Sequence, residues 1–194
     1  MAKAVSSVPV DGKKAIRKAF PLIARIKDSG IRNGVIAAWY IAWKESSFEK
    51  VEDAPFSMDP VPGDSLVKHI NASTAGAYAM GQQIQRDYGI KVDLDHVIAG
   101  GLLQNLDKIV MLEKKGEEVV HSALGKEIVH GAYGGHMALL AGLPQSIVFM
   151  IMAHSPSVGV ELDSPEGALI CFAETATLRA LRSAHRMGPS RGGH

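Results

Sequence analysis

The sequence predicts an all-α protein. Apolar residues recur at three- and four-residue spacings in one segment after another, and no segment alternates with the period of two expected for strands over a useful length. Turn-forming glycines and prolines separate these segments, as helix boundaries require.

Over residues 15–27, Ile16, Ala19, Phe20, Ile23 and Ile26 form an amphipathic stripe, with Pro21 expected to perturb its middle. Asp28-Ser29-Gly30 turns the chain into a second helix over 31–48, with Val35, Ala38, Trp39 and Ala42 on one face. Trp39 and Trp43 read first as core or lid residues and second as a stacking surface for a substrate. Pro55, Pro60 and Pro62 force residues 54–63 into an extended loop that can border a pocket. Asp64 or Ser65 caps the next helix, which carries His69, Ala72, Ala75 and Ala79 and closes at Gly89.

The rest of the chain is organised around residues 97–108, expected as one helix entered through Asp93. Its first half is small and apolar, which allows close packing. Its second half carries Gln104, Asn105, Asp107 and Lys108 at an end that reads as buried. An unpaired buried polar group costs about 1–3 kcal/mol, so this quartet belongs to a wet cavity or a polar network, and either would make it a site.

Beyond it, the mixed charges of residues 113–118 read as solvated surface. His130 and His136 flank Gly131, Gly134 and Gly135, a turn able to bring at least one imidazole toward the quartet. Leu143-Pro144 restarts a helix whose apolar run, 147–153, ends at His154-Ser155-Pro156. Pro165-Glu166 opens the last helix, with Leu169, Phe172, Ala173, Ala176 and Ala180 at helical spacing and Glu174 among them. Residues 1–14 are expected as a flexible N-terminus, 15–185 as one helical domain and 186–194 as a flexible tail.

A chain of 194 residues can bury one well-formed core, and 21 basic against 20 acidic residues lack the excess positive charge of a phosphate-backbone binder. Nucleic acid is therefore not an expected partner. The single cysteine, Cys171, precludes an internal disulfide and fits a reducing compartment, so the expected location is cytoplasmic. No signal peptide or membrane span is expected, and the apolar run 147–153 serves either the core or a homo-oligomeric interface.

The order His69, then Leu102-Leu103-Gln104-Asn105-Leu106-Asp107-Lys108, then His136, His154 and Ala173-Glu174 resembles the HD-domain superfamily of metal-dependent phosphohydrolases. The likeness runs from about Ser65 to Ala180 and implies an HD-domain-like helical bundle. In that family the motif reads Leu-Leu-His-Asp-x-x-Lys, and a late helix carries Ala-Asp. Here Gln104 and Asn105 replace the paired His and Asp, and Glu174 replaces the last Asp.

The resemblance implies a degenerate metal site in which His69, His136, His154 and Glu174 would hold one divalent ion, or none. Neutral amides bring no charge to such an ion. His-to-Gln and Asp-to-Asn are also the near-isosteric changes that would silence the motif by design, but Glu174 is not needed for that and favours natural divergence.

Three functional readings follow, each with a small molecule as partner. The first is an HD-type hydrolase with an altered one-metal centre, acting on a phosphate ester or a related substrate. The second is a metal-free enzyme: His69, Asp107, Lys108, His130, His136 and His154 supply acid and base groups for hydration, elimination, isomerisation or hydrolysis, and Gln104 and Asn105 hydrogen-bond a carbonyl or oxyanion. Trp39, Trp43, Phe56, Phe149 and Met152 would then line a less polar pocket. The third is a catalytically degenerate ligand-binding domain.

Overall fold

A computed structural model describes residues 8–154 and 162–187. The protein is all-α apart from one short hairpin, and among the described residues no helix is long and apolar enough to cross a membrane. Ser155 and Pro156, half of the N-terminal stretch expected to be flexible (residues 1–7) and most of the C-terminal one (188–194) lie outside the described residues.

Helix α1 (Val10–Ala19) begins inside the stretch expected to be flexible. Gly12 anchors it: a Cβ there would stand 2.5 Å from the Tyr40 ring, so only glycine lets α1 pack this closely on α2. Pro21 does more than perturb the helix. It ends α1 at Ala19 and opens a 3-10 turn over Pro21–Arg25, as the loss of its N–H requires. Helix α2 (Ser29–Glu45) follows, capped by Asp28, whose side chain accepts from Ile31 N–H.

Helix α3 (Leu66–Tyr88) is capped by Ser65, which accepts from Lys68 N–H, and is closed by left-handed Gly89. Helix α4 (Leu94–Leu103), capped by Asp93, runs through the centre and packs on α2 and α3 and on two later helices, α8 (Gln145–Ala153) and α9 (Pro165–Ala184). Residues Val97 to Leu103 are all buried. A Cβ on Gly101 would sit 2.8 Å from Thr74 Oγ1 and one on Gly100 3.2 Å from Ile170 Cδ1, so the glycine pair sets how closely α3 and α9 approach.

The expected single helix over 97–108 is divided. After α4 the chain tightens, with Leu106 N–H donating to Leu103 O and Lys108 N–H to Asn105 O, before the short α5 (Lys108–Met111). Tertiary partners override propensity here, because Asn105 reaches Glu174 on α9 and Asp107 reaches His130 in the turn before α7. The charged run expected as surface is exposed, and it also forms the tip of a hairpin, β1 (Leu112–Lys115) with β2 (Glu118–His121), turned by Gly116 at φ +64°.

Helices α6 (Ala123–Glu127) and α7 (Ala132–Leu140) lead to α8 and α9. Trp39 is fully buried, lies against Phe20 at 4.4 Å between centroids, and donates its Nε1–H to Leu102 O at 3.0 Å, which ties α2 to the end of α4.

Candidate active site

The polar quartet lies where α3, the turn after α4, the entry to α7, the end of α8 and the middle of α9 come together. His69, Gln104, Asn105 and Asp107 are each at most 1% exposed. They are functional candidates because burial of this kind must be balanced by partners.

His69 is oriented from outside its own helix. Its Nδ1 faces Asp64 Oδ2 at 3.3 Å, so in the neutral ring Nδ1 holds the proton and Nε2 is a bare lone pair. Nε2 has no partner among the described residues. Ser65 caps α3, which frees the neighbouring Asp64 for this contact. Phe56, from the proline-rich loop, stacks on the imidazole (centroids 3.6 Å, 18° between planes), and Lys108 Nζ lies 3.9 Å from the centre of the Phe56 ring. The loop is tied at its base by Leu66 N–H to Ala54 O, and Arg182 of α9 holds Asp59.

On the other side of the turn, Asp107 accepts from His130 Nδ1 at 2.9 Å and from the Gly131 amide. His130 Nε2 meets His154 Nε2 at 3.0 Å, and His154 Nδ1 donates to Ile151 O at 2.7 Å. The protons can be assigned from these partners. Ile151 O fixes the proton of His154 on Nδ1, its Nε2 accepts from His130, and His130 carries protons on both nitrogens against ionised Asp107.

Burial works against the Asp107 carboxylate, but His130 and the Gly131 amide outweigh it and hold the group below the usual carboxylate range. Burial, followed by the neighbouring His130, pushes His154 down. Burial also opposes ionised Glu174, yet His154, Lys108, the Asn105 amide and His69 together keep it below its ordinary value. Lys108 is pushed down by burial, with Glu174 and Asp107 resisting.

Glu174 accepts from one N–H of Asn105 Nδ2 at 2.9 Å, which fixes the amide orientation, and the Asn105 carbonyl has no partner among the described residues. Gln104 has a free amide: neither Oε1 nor Nε2 has a partner among the described residues.

Hydrogen bonds and mutual electrostatic influence link His69, Asn105, Asp107, Lys108, His130, His154 and Glu174; Gln104 is buried next to Asn105 in the chain, and His136 lies outside. Gly134 and Gly135 pack on α8, where a Cβ would meet Ile151 and Met152, and this turns His136 to the exposed face of α7. His130, at the left-handed turn of Gly131, takes the inward place instead. Of the apolar residues expected around the pocket only Phe56 is there. Trp39 is core, Trp43 donates to Phe48 O, and Phe149 and Met152 are surface residues, 52% and 45% exposed.

The four expected ligands do not fit a metal ion as a set. His136 is exposed, both nitrogens of His154 are engaged, and one Glu174 oxygen is bonded to Asn105. Among the described residues no group of three or more His, Cys, Asp and Glu is arranged to hold a metal ion. A cleft of about 730 Å³ elsewhere is lined by Asp28, Asp93 and Asp95, but these carboxylates cap α2 and α4 or accept the Lys27 and Asp28 amides, so it is a structural seam.

Asp64 is the contribution least visible in sequence. The signal for Asp64 was two adjacent candidate caps for one helix, of which only one could be used. Compared with known proteins, the chain matches no family model, no curated protein and no solved structure.

Proposed function

We propose that the protein is an enzyme of HD-domain-like architecture that performs acid–base chemistry on a small organic substrate without a resident metal ion. The observation that carries this reading is His69, a buried imidazole whose Nδ1 is held by a carboxylate and whose Nε2 lone pair is unpartnered. That is the disposition of a general base, worth about 10²–10⁴-fold in rate. Lys108 would balance negative charge developing on the substrate, and Gln104 would orient it by hydrogen bonds. The Asp107–His130–His154 chain supplies a fixed, charge-balanced wall.

The test is turnover of hydration, elimination, isomerisation and hydrolysis substrates by the full chain in the presence of a chelator. The reading expects chelator-resistant activity that falls about 10²–10⁴-fold in His69→Gln. Activity lost on chelation and restored by a divalent ion overturns it.

One observation favours a second reading, an HD-type hydrolase with a single ion. His69, His130 and His154 are all held at Nδ1, as metal-binding imidazoles are. Metal content separates the two.

A further inference from the structure

The unpartnered atoms of the site have a composition of their own. His69 Nε2, Gln104 Oε1 and Asn105 Oδ1 are acceptors, and Gln104 Nε2 is a donor; none has a partner among the described residues. Asn105 cannot be turned over to change this count, because Glu174 requires its NH₂. The charges nearby are already opposed: Glu174 by Lys108, and Asp107 by His130. Lys108 in addition lies on the Phe56 ring.

A fully ionised phosphate monoester offers only acceptor oxygens, and inorganic phosphate near neutral pH offers mostly acceptors. Placed here it would set them against three lone pairs, with one amide donor and an already opposed ammonium in return. A carboxylate has the same defect. A neutral group with N–H donors beside a carbonyl suits this set: the two N–H groups of a carboxamide answer two of the three acceptors, the four of a urea can answer all three, and the carbonyl answers the Gln104 amide.

We infer that the buried face formed by His69, Gln104 and Asn105 recognises a neutral carboxamide or urea group of its ligand, and not a phosphate. The inference rests on the small-organic-substrate reading above and names the class of group that the site takes.

Recognition of this kind has a cost. An amide kept unpaired for a ligand destabilises the free protein, so removing it stabilises the protein while abolishing binding. A structural amide behaves in the opposite way.

The experiment follows the side-chain amide resonances of Gln104 and Asn105 by ¹H–¹⁵N NMR in the full chain, titrated separately with propionamide, propionate and inorganic phosphate. Propionamide is expected to shift them saturably within the order of 100 mM, the range open to so small a ligand, while the two anions leave them in place. Gln104→Met is expected to lose the propionamide response and to raise Tm by roughly 2–4 °C. Absence of a saturable propionamide shift overturns the inference, as does saturation by phosphate or propionate at the same resonances, or a lowered Tm in Gln104→Met. The readout needs no turnover and is separate from metal analysis, so a chain that binds propionamide but catalyses nothing fails the enzymatic reading alone.

Discussion

His130 and His154 meet Nε2 to Nε2 at 3.0 Å, their rings nearly perpendicular at 84°. Two imidazoles in this relation can share only one proton. Because Ile151 O holds the other His154 proton and Asp107 faces His130 Nδ1, the shared proton belongs to His130. The buried ion pair that results is central to the energetics of the site.

Removing one member of a buried pair strands the other, at about 3–5 kcal/mol. Asp107→Ala and His130→Ala are each expected to lower unfolding free energy by about that amount, and the double variant by clearly less than the sum. Denaturant melts of the four proteins check this; additive losses would contradict the pairing.

The same pair sets an acid limit. The Asp107 pKa is lowered in the folded protein, so the unfolded state binds the proton first as pH falls. Its stabilisation is complete above the unfolded value of about 3.9 and is lost as pH falls from there through the folded value. The stability difference between wild type and Asp107→Ala should narrow as pH falls below about 3.9. A difference that does not narrow in that range would contradict the assignment.

Asn105→Asp places a second carboxylate against Glu174, where Asn105 now donates at 2.9 Å. Like charges this close cannot both ionise cheaply. The variant is expected to be destabilised at pH 7 and to recover on acidification. In the double variant Gln104→His, Asn105→Asp, a divalent ion is expected to restore stability, read as a metal-dependent rise in Tm. No response to metal would count against the alignment of these two positions with the family's His-Asp pair.

Trp39→Phe removes the Nε1–H donor to Leu102 O while keeping an aromatic ring against Phe20. The buried carbonyl then lacks its partner, at about 1–3 kcal/mol. A loss of stability with unchanged ligand binding is expected; loss of binding alone would return Trp39 to the pocket.

The parts of the fold written in local chemistry were legible in the sequence. Ser65 and Gly89 bound α3, Pro165 opens α9, and Gly100-Gly101 marks the central helix as one that its neighbours approach closely. The period of 3.6 gave the all-α class, but the short pairing of residues 112–115 with 118–121 fell below what periodicity detects.

Within the site, the quartet at 104–108 was visible because polar residues closed an apolar run. The choice between His130 and His136 was not visible, since it depends on Gly134 and Gly135 packing against Met152 and Ile151. Nor could the sequence show that Asp64 turns toward His69 across five residues, or that the helix breaks at Gln104, because both are decided by partners on other elements.

The most direct test of a metal-free acid–base site is metal content, measured by inductively coupled plasma mass spectrometry on protein purified without a metal-affinity tag and washed with a mild chelator. The account expects transition metal far below one ion per chain, with fold and ligand binding intact. About one tightly held ion per chain, lost together with activity in His130→Ala or His154→Ala, would contradict it and make the paired imidazoles ligands instead of a proton-sharing wall.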